Sequence, residues 1–272
     1  MSDLELELLR ILGHSLPNVP HASGIVNRLL KPFYLRKRRP LVECDVLGMR
    51  MELDPADAID GSLIFCPQLY DAKEIAFLME NLDSHDNFID IGAHVGLYAL
   101  MASKRVTTGS VLAIEAAPRT FEMLTKNIRL NNSSIMGVNC GVSDKEETLK
   151  LHLQSSGNRG GSTFLERSGG NAVDVQCFTL VQVLRSLGVE TVKGMKIDIE
   201  GYEYRVLKHF FENADPGMYP AFVITEFFPD RVPETTGDQI QLLEQYGYME
   251  VLRTGYNRVL VSTMGTGRSQ PC

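Results

Sequence analysis

The chain has 272 residues, with 27 Lys+Arg against 34 Asp+Glu, a formal charge of −7. A composition 44% apolar and 22% charged is that of a globular protein with a substantial core. The acidic balance leaves nothing to neutralise phosphates in bulk, which argues against a nucleic-acid partner.

The N-terminal run MSDLELELLRILG sets Leu4, Leu8, Leu9 and Leu12 at helical spacing among acidic residues, the pattern of an amphipathic helix rather than a signal peptide. A second helix is expected over Ala22 to Leu30. Lys31 and the cluster Arg36-Lys37-Arg38-Arg39, closed by Pro40, read as a solvated charge run. Val42 to Leu53 alternates around Leu47-Gly48 and predicts a hairpin, and Asp71 to Leu82 predicts a helix. Residues 1–86 thus read as a cap, in which Phe33, Tyr34, Phe65 and Tyr70 are packing aromatics first.

From Asn87 short strands alternate with helices. Strands are expected at Phe88–Ile91, Ser110–Glu115, Ile135–Cys140, Met195–Ile199 and Phe222–Phe227. The helices between and after them run from Leu97 to Lys104, Pro118 to Asn131, Thr179 to Leu187, Tyr202 to Glu212 and Gln239 to Tyr246. Glu147–Leu153 adds a strand, followed by a glycine-rich insertion over 155–171 that is either functional or merely tolerated. The last strands, Tyr248–Arg253 and Arg258–Ser262, are joined too tightly for anything but antiparallel pairing. The fold class predicted is α/β: a mostly parallel seven-stranded sheet with an antiparallel last strand, the Rossmann-like architecture of class I methyltransferases. Its domain spans 87–263, with a tail at 264–272.

Five cysteines, at 44, 66, 140, 177 and 272, make no CxxC and no zinc knuckle, and an odd count suits no disulfide framework. No run approaches the ~20 apolar residues that cross a bilayer. A soluble, reduced, cytoplasmic protein without a membrane span is expected.

Chemistry concentrates at strand ends. Asp90-Ile91-Gly92-Ala93-His94-Val95-Gly96 lacks the glycine spacing of a dinucleotide fingerprint. Gly92 and Gly96 still allow close backbone approach to a ligand, and the helix start there favours a carboxylate such as that of S-adenosylmethionine. Glu115, one strand later, is placed to accept ribose hydroxyls. Ser143 and Asp144 in Gly141-Val142-Ser143-Asp144 are candidates for the adenine edge, or a plain capped turn. In Lys196-Ile197-Asp198-Ile199-Glu200-Gly201-Tyr202-Glu203, Asp198 and Glu200 share a side of the strand. They can meet the cofactor's ammonium or sulfonium, accept a substrate proton, or hold a divalent metal. Acidic residues also suit a helix start, which accounts for Glu203 better than for Asp198. Glu226 ends the next strand as a second candidate base. His94 is read as orienting the cofactor, and Tyr70 as a residue that can face it.

The runs NFIDIGAHVGLYAL, IEAAPRTFEMLTKNIRLNN, GVSD and KIDIEGYEYRVL resemble the FkbM family of S-adenosylmethionine-dependent methyltransferases, over about residues 42–263. The resemblance implies methylation of a hydroxyl on a sugar or natural product, with some members acting on nitrogen. His94 stands where the family often has Asn, Asp71 where Glu is usual, and Val181 where Asp is frequent. The expectation is therefore O-methylation of a small-molecule acceptor, with Asp198 and Glu200 as first candidate bases and Glu226 second. S-adenosylmethionine is the expected cofactor, and no metal is indicated. The competing readings are N-methylation of a small molecule or peptide and a non-catalytic adenosyl-binding protein. Neither the acceptor nor the oligomeric state has a readable code.

Overall fold

The computed structural model describes residues 3–15, 41–154, 159–165, 171–228 and 237–263. The expected helix over 22–30, the basic cluster, Phe33, Tyr34, parts of the glycine-rich insertion and the 264–272 tail lie outside them. Helix α1 (Asp3–His14) is followed by the antiparallel hairpin β1 (Val42–Val46) and β2 (Met49–Leu53), then α2 (Ala58–Phe65) and α3 (Ala72–Asn81). The hairpin turns on Leu47 and Gly48, both at positive φ (52° and 78°), as a two-residue turn matched to strand twist requires.

The alternating section supplies β3 (Phe88–Ile91), α4 (Leu97–Ser103), β4 (Val111–Ile114), α5 (Pro118–Leu130) and β5 (Met136–Val138). Then come β6 (Gly141–Ser143), β7 (Glu147–His152), β8 (Ala172–Thr179), α6 (Leu180–Ser186), β9 (Gly194–Ile197) and α7 (Glu203–Asn213). The chain closes with β10 (Phe222–Glu226), α8 (Gln239–Gln245), β11 (Tyr248–Thr254) and β12 (Asn257–Ser262). Helix starts follow local chemistry. Pro118 opens α5, where its missing N–H costs nothing. Thr179 and Gln182 form a reciprocal capping box on α6, and the Asp57 carboxylate accepts from the amides of Ile59 and Asp60 at the start of α2.

The main sheet has seven strands in the order β11-β12-β10-β9-β3-β4-β5, and only β12 runs against the others. This is the expected class I methyltransferase sheet. From β3 the chain first builds outward through β4 and β5, then returns to the other side of β3 with β9 and β10. The order therefore reverses between β3 and β9, where α/β sheets form ligand crevices. Both faces are covered. One core joins Phe88, Leu100 and Leu124 to hairpin and α2 residues such as Met51, Leu53 and Leu63; the other joins Ile89, Ile91 and Met195 to α6 and α7.

Three features differ from expectation. Helix α2 was hidden because Ser62, Leu63, Ile64 and Phe65 are all buried, so its sequence has no amphipathic period. Strand β8 exists, and with β6 and β7 it forms a separate three-stranded sheet; the segment Gly141–Ser143, read as the end of the third strand, belongs there. Strand β9 stops at Ile197, not Ile199. Glu203 accepts from the amides of Ile199 (2.8 Å) and Gly201 (2.9 Å), pulling the chain off the ladder, and Glu200 adopts φ 54°.

Candidate functional site

A cavity of about 480 Å³ opens at the carboxyl ends of β3, β4, β9 and β10, a volume typical of a small-molecule site. Among the expected site residues, Tyr70, Asp90, Gly92, His94, Glu115, Asp198, Glu200 and Glu226 line it. Gly96, Ser143 and Asp144 are not on its wall. Gly96 is needed for the chain's own packing: at φ 95° a Cβ would lie 2.6 Å from Leu124 Cδ1. Buried Ser143 lies 3.0 Å from Glu147 Oε1, and Asp144 pairs with Arg205 at 3.3 Å.

The floor is set by the contact of β3 with β9. A Cβ on Gly92, at φ 76°, would lie 1.9 Å from the Asp198 carbonyl oxygen, so glycine there lets the two strand ends close on each other. Asp90 Oδ2 accepts from the Ala99 amide (3.1 Å), capping α4 in place of the side chain that Gly96 lacks. Its other oxygen is buried without a hydrogen-bond partner, and Lys196 Nζ is 4.0 Å away. Burial pushes the Asp90 carboxyl up to about 6. Glu115 accepts from the amides of His94 (2.9 Å) and Ala117 (2.8 Å), which shapes the glycine loop and leaves lone pairs toward the cavity; burial lifts it to about 7.

On the opposite side Asp198, Glu200 and Glu226 each offer a carboxylate oxygen, and these atoms all lie within 4.8 Å of one another. Burial, then Asp198 and Glu200 as like charges, push Glu226 up to about 8. The trio has a spacing that a divalent cation also accepts. A cation of the chain already stands there: Lys196 Nζ is 3.3 Å from Asp198 Oδ2 and 5.2 Å from the Tyr98 ring centre. Burial works against this ammonium, but Asp198, Asp90 and Asp71 outweigh it and push its pKa above the ordinary lysine value.

Lys196 and Arg159 were given no role from sequence, Lys196 being quoted only within its motif, and Asp71 was noted only as a departure from the family pattern. Asp71 accepts from Tyr98 Oη and from Asn257 Nδ2, both at 3.0 Å, joining α3, α4 and β12 behind Tyr70. Arg159, from the glycine-rich insertion, reaches Asp54, which precedes α2, and Asp60 in its first turn. The spacing that would have revealed these pairs exists only in three dimensions.

A family model described as the methyltransferase FkbM domain matches residues 90–249, more than half of the chain. The chain belongs to the FkbM methyltransferase family. Methyltransferase sdnD of Sordaria araneosa is 31% identical over 176 residues, covering 53% of this chain and 65% of that protein. Hexuronic acid methyltransferase AglP of Haloferax volcanii is 25% identical over 137 residues, covering 49% and 54%. The chain thus spans less than two thirds of the length of these relatives. Among solved structures, a Bacillus cereus O-methyltransferase in complex with SAH gives a TM-score of 0.43 at 13% identity, over 70% of this chain and 81% of that one. The Pyrococcus abyssi tRNA (uracil-54, C5)-methyltransferase gives 0.46 at 12%, over 83% and 45%. The FkbM match begins at Asp90, on the cavity floor; α2, whose Ala58, Ile59, Ser62 and Leu63 also line the cavity, precedes it.

The FkbM cavity fits S-adenosylmethionine on its own chemistry. The orphaned Asp90 oxygen and the Glu115 carboxylate are acceptors at adjacent strand ends, and Cys140, Val142, Leu151 and Phe164 form an apolar flank. No helix among the described residues is long and apolar enough to cross a membrane.

Proposed function

We propose that the protein uses S-adenosylmethionine to methylate a hydroxyl of a small molecule, a sugar or a related natural product. The observation that carries this reading is the convergence of Asp198, Glu200 and Glu226 at the ends of β9 and β10, facing the cavity floor. When bound, S-adenosylmethionine supplies a methyl group on a positively charged sulfur. Glu115 holds the ribose hydroxyls, Asp90 and the Gly92 loop receive the rest of the adenosyl ligand, and Tyr70 closes the side toward α3. Holding acceptor and methyl donor in line is worth up to ~7–11 kcal/mol.

A hydroxyl acceptor must lose a proton as it is methylated, and in this reading Glu226 takes it. The Asp198 carboxylate is already engaged, accepting from Lys196 Nζ at 3.3 Å. Among the described residues the Glu226 carboxylate accepts no hydrogen bond from a lysine or arginine, and burial with the Asp198 and Glu200 charges, opposed by Lys196, pushes it up to about 8, close to the operating pH that suits a general base. This reverses the order expected from sequence, which put Asp198 and Glu200 first. The likeness to a relative named for hexuronic acid supports a sugar hydroxyl. Four described cysteines, all buried and unpaired, suit a reducing compartment such as the cytoplasm.

The test is methyl transfer from labelled S-adenosylmethionine to a panel of uronic acids and polyhydroxylated natural products. With the acceptor found, Glu226→Gln should lower kcat by about 10²–10⁴ with little change in affinity for S-adenosylhomocysteine. Unchanged turnover in this variant would remove Glu226 from the chemistry.

A further inference from the structure

A buried lysine stands among the carboxylates of the cavity. Lys196 lies on β9 in register with Asp90 of β3, so the two side chains leave the same face of the sheet. Its side chain is 11% exposed and lines the cavity, with Nζ 3.3 Å from Asp198 Oδ2 and 4.0 Å from Asp90 Oδ1. It therefore bridges the floor assigned to the cofactor and the carboxylate trio on the acceptor side. The other described lysine or arginine that lines the cavity is Arg159. That residue belongs to the insertion, which contributes Gly160, Ser162 and Phe164 to the outer wall, and it is bound to Asp54 and Asp60.

Several contacts keep a cation at this place. Burying an ammonium is unfavourable unless opposite charges surround it, and Asp198, Asp90 and Asp71 supply them. The Tyr98 ring centre is 5.2 Å from the ammonium, within reach of a cation–π contact. Tyr98 Oη in turn donates to Asp71 Oδ2 at 3.0 Å. Asp71 occupies the left-handed region (φ 45°, ψ 37°) at the N-cap of α3, yet its side chain caps no amide of that helix. Its other oxygen accepts from Asn257 Nδ2 at 3.0 Å instead. Backbone strain of this kind persists only where the surroundings fix it, and the cation that Asp71 acts on is Lys196.

We propose that Lys196 is a positioning residue for methyl transfer: its ammonium fixes the Asp198 carboxylate and offsets the acidic charge that a sulfonium would otherwise meet in the cavity. The inference rests on the cofactor reading above. Transfer moves the methyl from sulfur to the acceptor oxygen, leaves the carbon–sulfur electron pair on sulfur and passes the hydroxyl proton to Glu226. The positive charge on sulfur therefore fades as the reaction proceeds. Unopposed carboxylates would hold the charged donor more tightly than a transition state in which that charge is fading, which slows the chemical step. Lys196 removes this preference for the ground state, and with it the preference for the charged donor over its neutral product.

Calorimetric titration of the full chain with S-adenosylmethionine and with S-adenosylhomocysteine tests it, because the two differ by the methyl group and the charge on sulfur. The wild type should bind both. Lys196→Met should shift the ratio of the two affinities toward S-adenosylmethionine by about tenfold. Lys196→Arg, which keeps the charge, should hold the ratio within about twofold of the wild type. A lysine with a merely structural role would weaken both ligands alike when replaced. Should Lys196→Met fail to fold, Lys196→Gln, which keeps a donor toward Asp198 without the charge, is expected to shift the ratio in the same direction. A ratio that stays within about twofold of the wild type in the uncharged variant, or that moves toward S-adenosylhomocysteine, overturns the proposal and leaves the cofactor reading intact. No binding of either ligand to the wild type overturns both.

Discussion

The floor of the cavity and its outer wall are built in different ways. On the floor, carboxylates at strand ends and at a helix start bind amides of the adjoining turns: Asp90 caps the helix starting at Leu97, Glu115 holds Ala117, and Glu203, at the start of α7, holds Ile199 and Gly201. Each such contact is set by a short stretch of chain. The wall instead joins Arg159 to Asp54 and Asp60 across sequence separations of 105 and 99 residues. Local chemistry thus fixes the floor, and long-range ion pairing fixes the wall. Damage to the floor should strike catalysis and folding together, whereas damage to the wall should mainly alter which ligand is held.

The largest expected effect is the loss of turnover in Glu226→Gln, which leaves both regions folded. Next comes Gly92→Ala. A Cβ 1.9 Å from the Asp198 carbonyl, at a φ that L-residues avoid, forces β3 and β9 apart. The expected cost is about 2–5 kcal/mol from overpacking and backbone strain, read as a fall in the urea midpoint. Asp60→Ala, on the wall, should cost less, about 1–3 kcal/mol, because Arg159 keeps Asp54. If the wall variant proved the more damaging, the contrast would be inverted.

The pH dependence sharpens the same contrast. Asp60, Glu115 and Glu203 are each raised to about 7, and Glu226 to about 8, with burial the largest cause in each case. A carboxyl whose folded pKa exceeds its unfolded value binds more protons when folded. Its contribution to stability is complete below the unfolded pKa and is lost as pH rises through the folded one. His94, lowered to about 4 by burial, acts oppositely, but only below its ordinary pKa of 6.5. Between pH 6.5 and 8.5 the carboxyls act alone, so the thermal midpoint of the ligand-free protein should fall, by about 2–4 °C for each kcal/mol lost. In Glu226→Gln that fall should shrink. A midpoint that rose over this range would contradict the assigned burial. The smallest effect expected is that of a chelator. With Lys196 already beside Asp198, EDTA should change turnover by less than about twofold, and a larger loss would assign the trio to a metal.

The same division decides what could be read from the amino acids. Alternating strands and helices, with a tight final link, were enough for the seven-stranded sheet. Asp90, Gly92, Glu115, Asp198, Glu200 and Glu226 were legible as cavity residues because carboxyl ends of parallel strands face one edge. Lys196 went unassigned because a lysine within a strand gives no sign of the carboxylates on its neighbours. Helix α2 lacked a polar face, and β8, although its residues alternate, followed directly on the glycine-rich insertion and was left unassigned. Strand order made Ser143 and Asp144 candidates for the adenine edge, with a plain capped turn as the alternative, and Gly141–Ser143 leaves the main sheet for the smaller one. Arg159 carried no signal at all, since its partners lie in the cap.

The most direct test of the account is a calorimetric titration with S-adenosylhomocysteine of the wild type and of Glu115→Ala. The account predicts saturable one-to-one binding to the wild type, weakened at least about tenfold in the variant by the loss of charge-assisted acceptors for the ribose. Absence of binding to the wild type, or equal affinity in the two proteins, would contradict the placement of the cofactor on this floor.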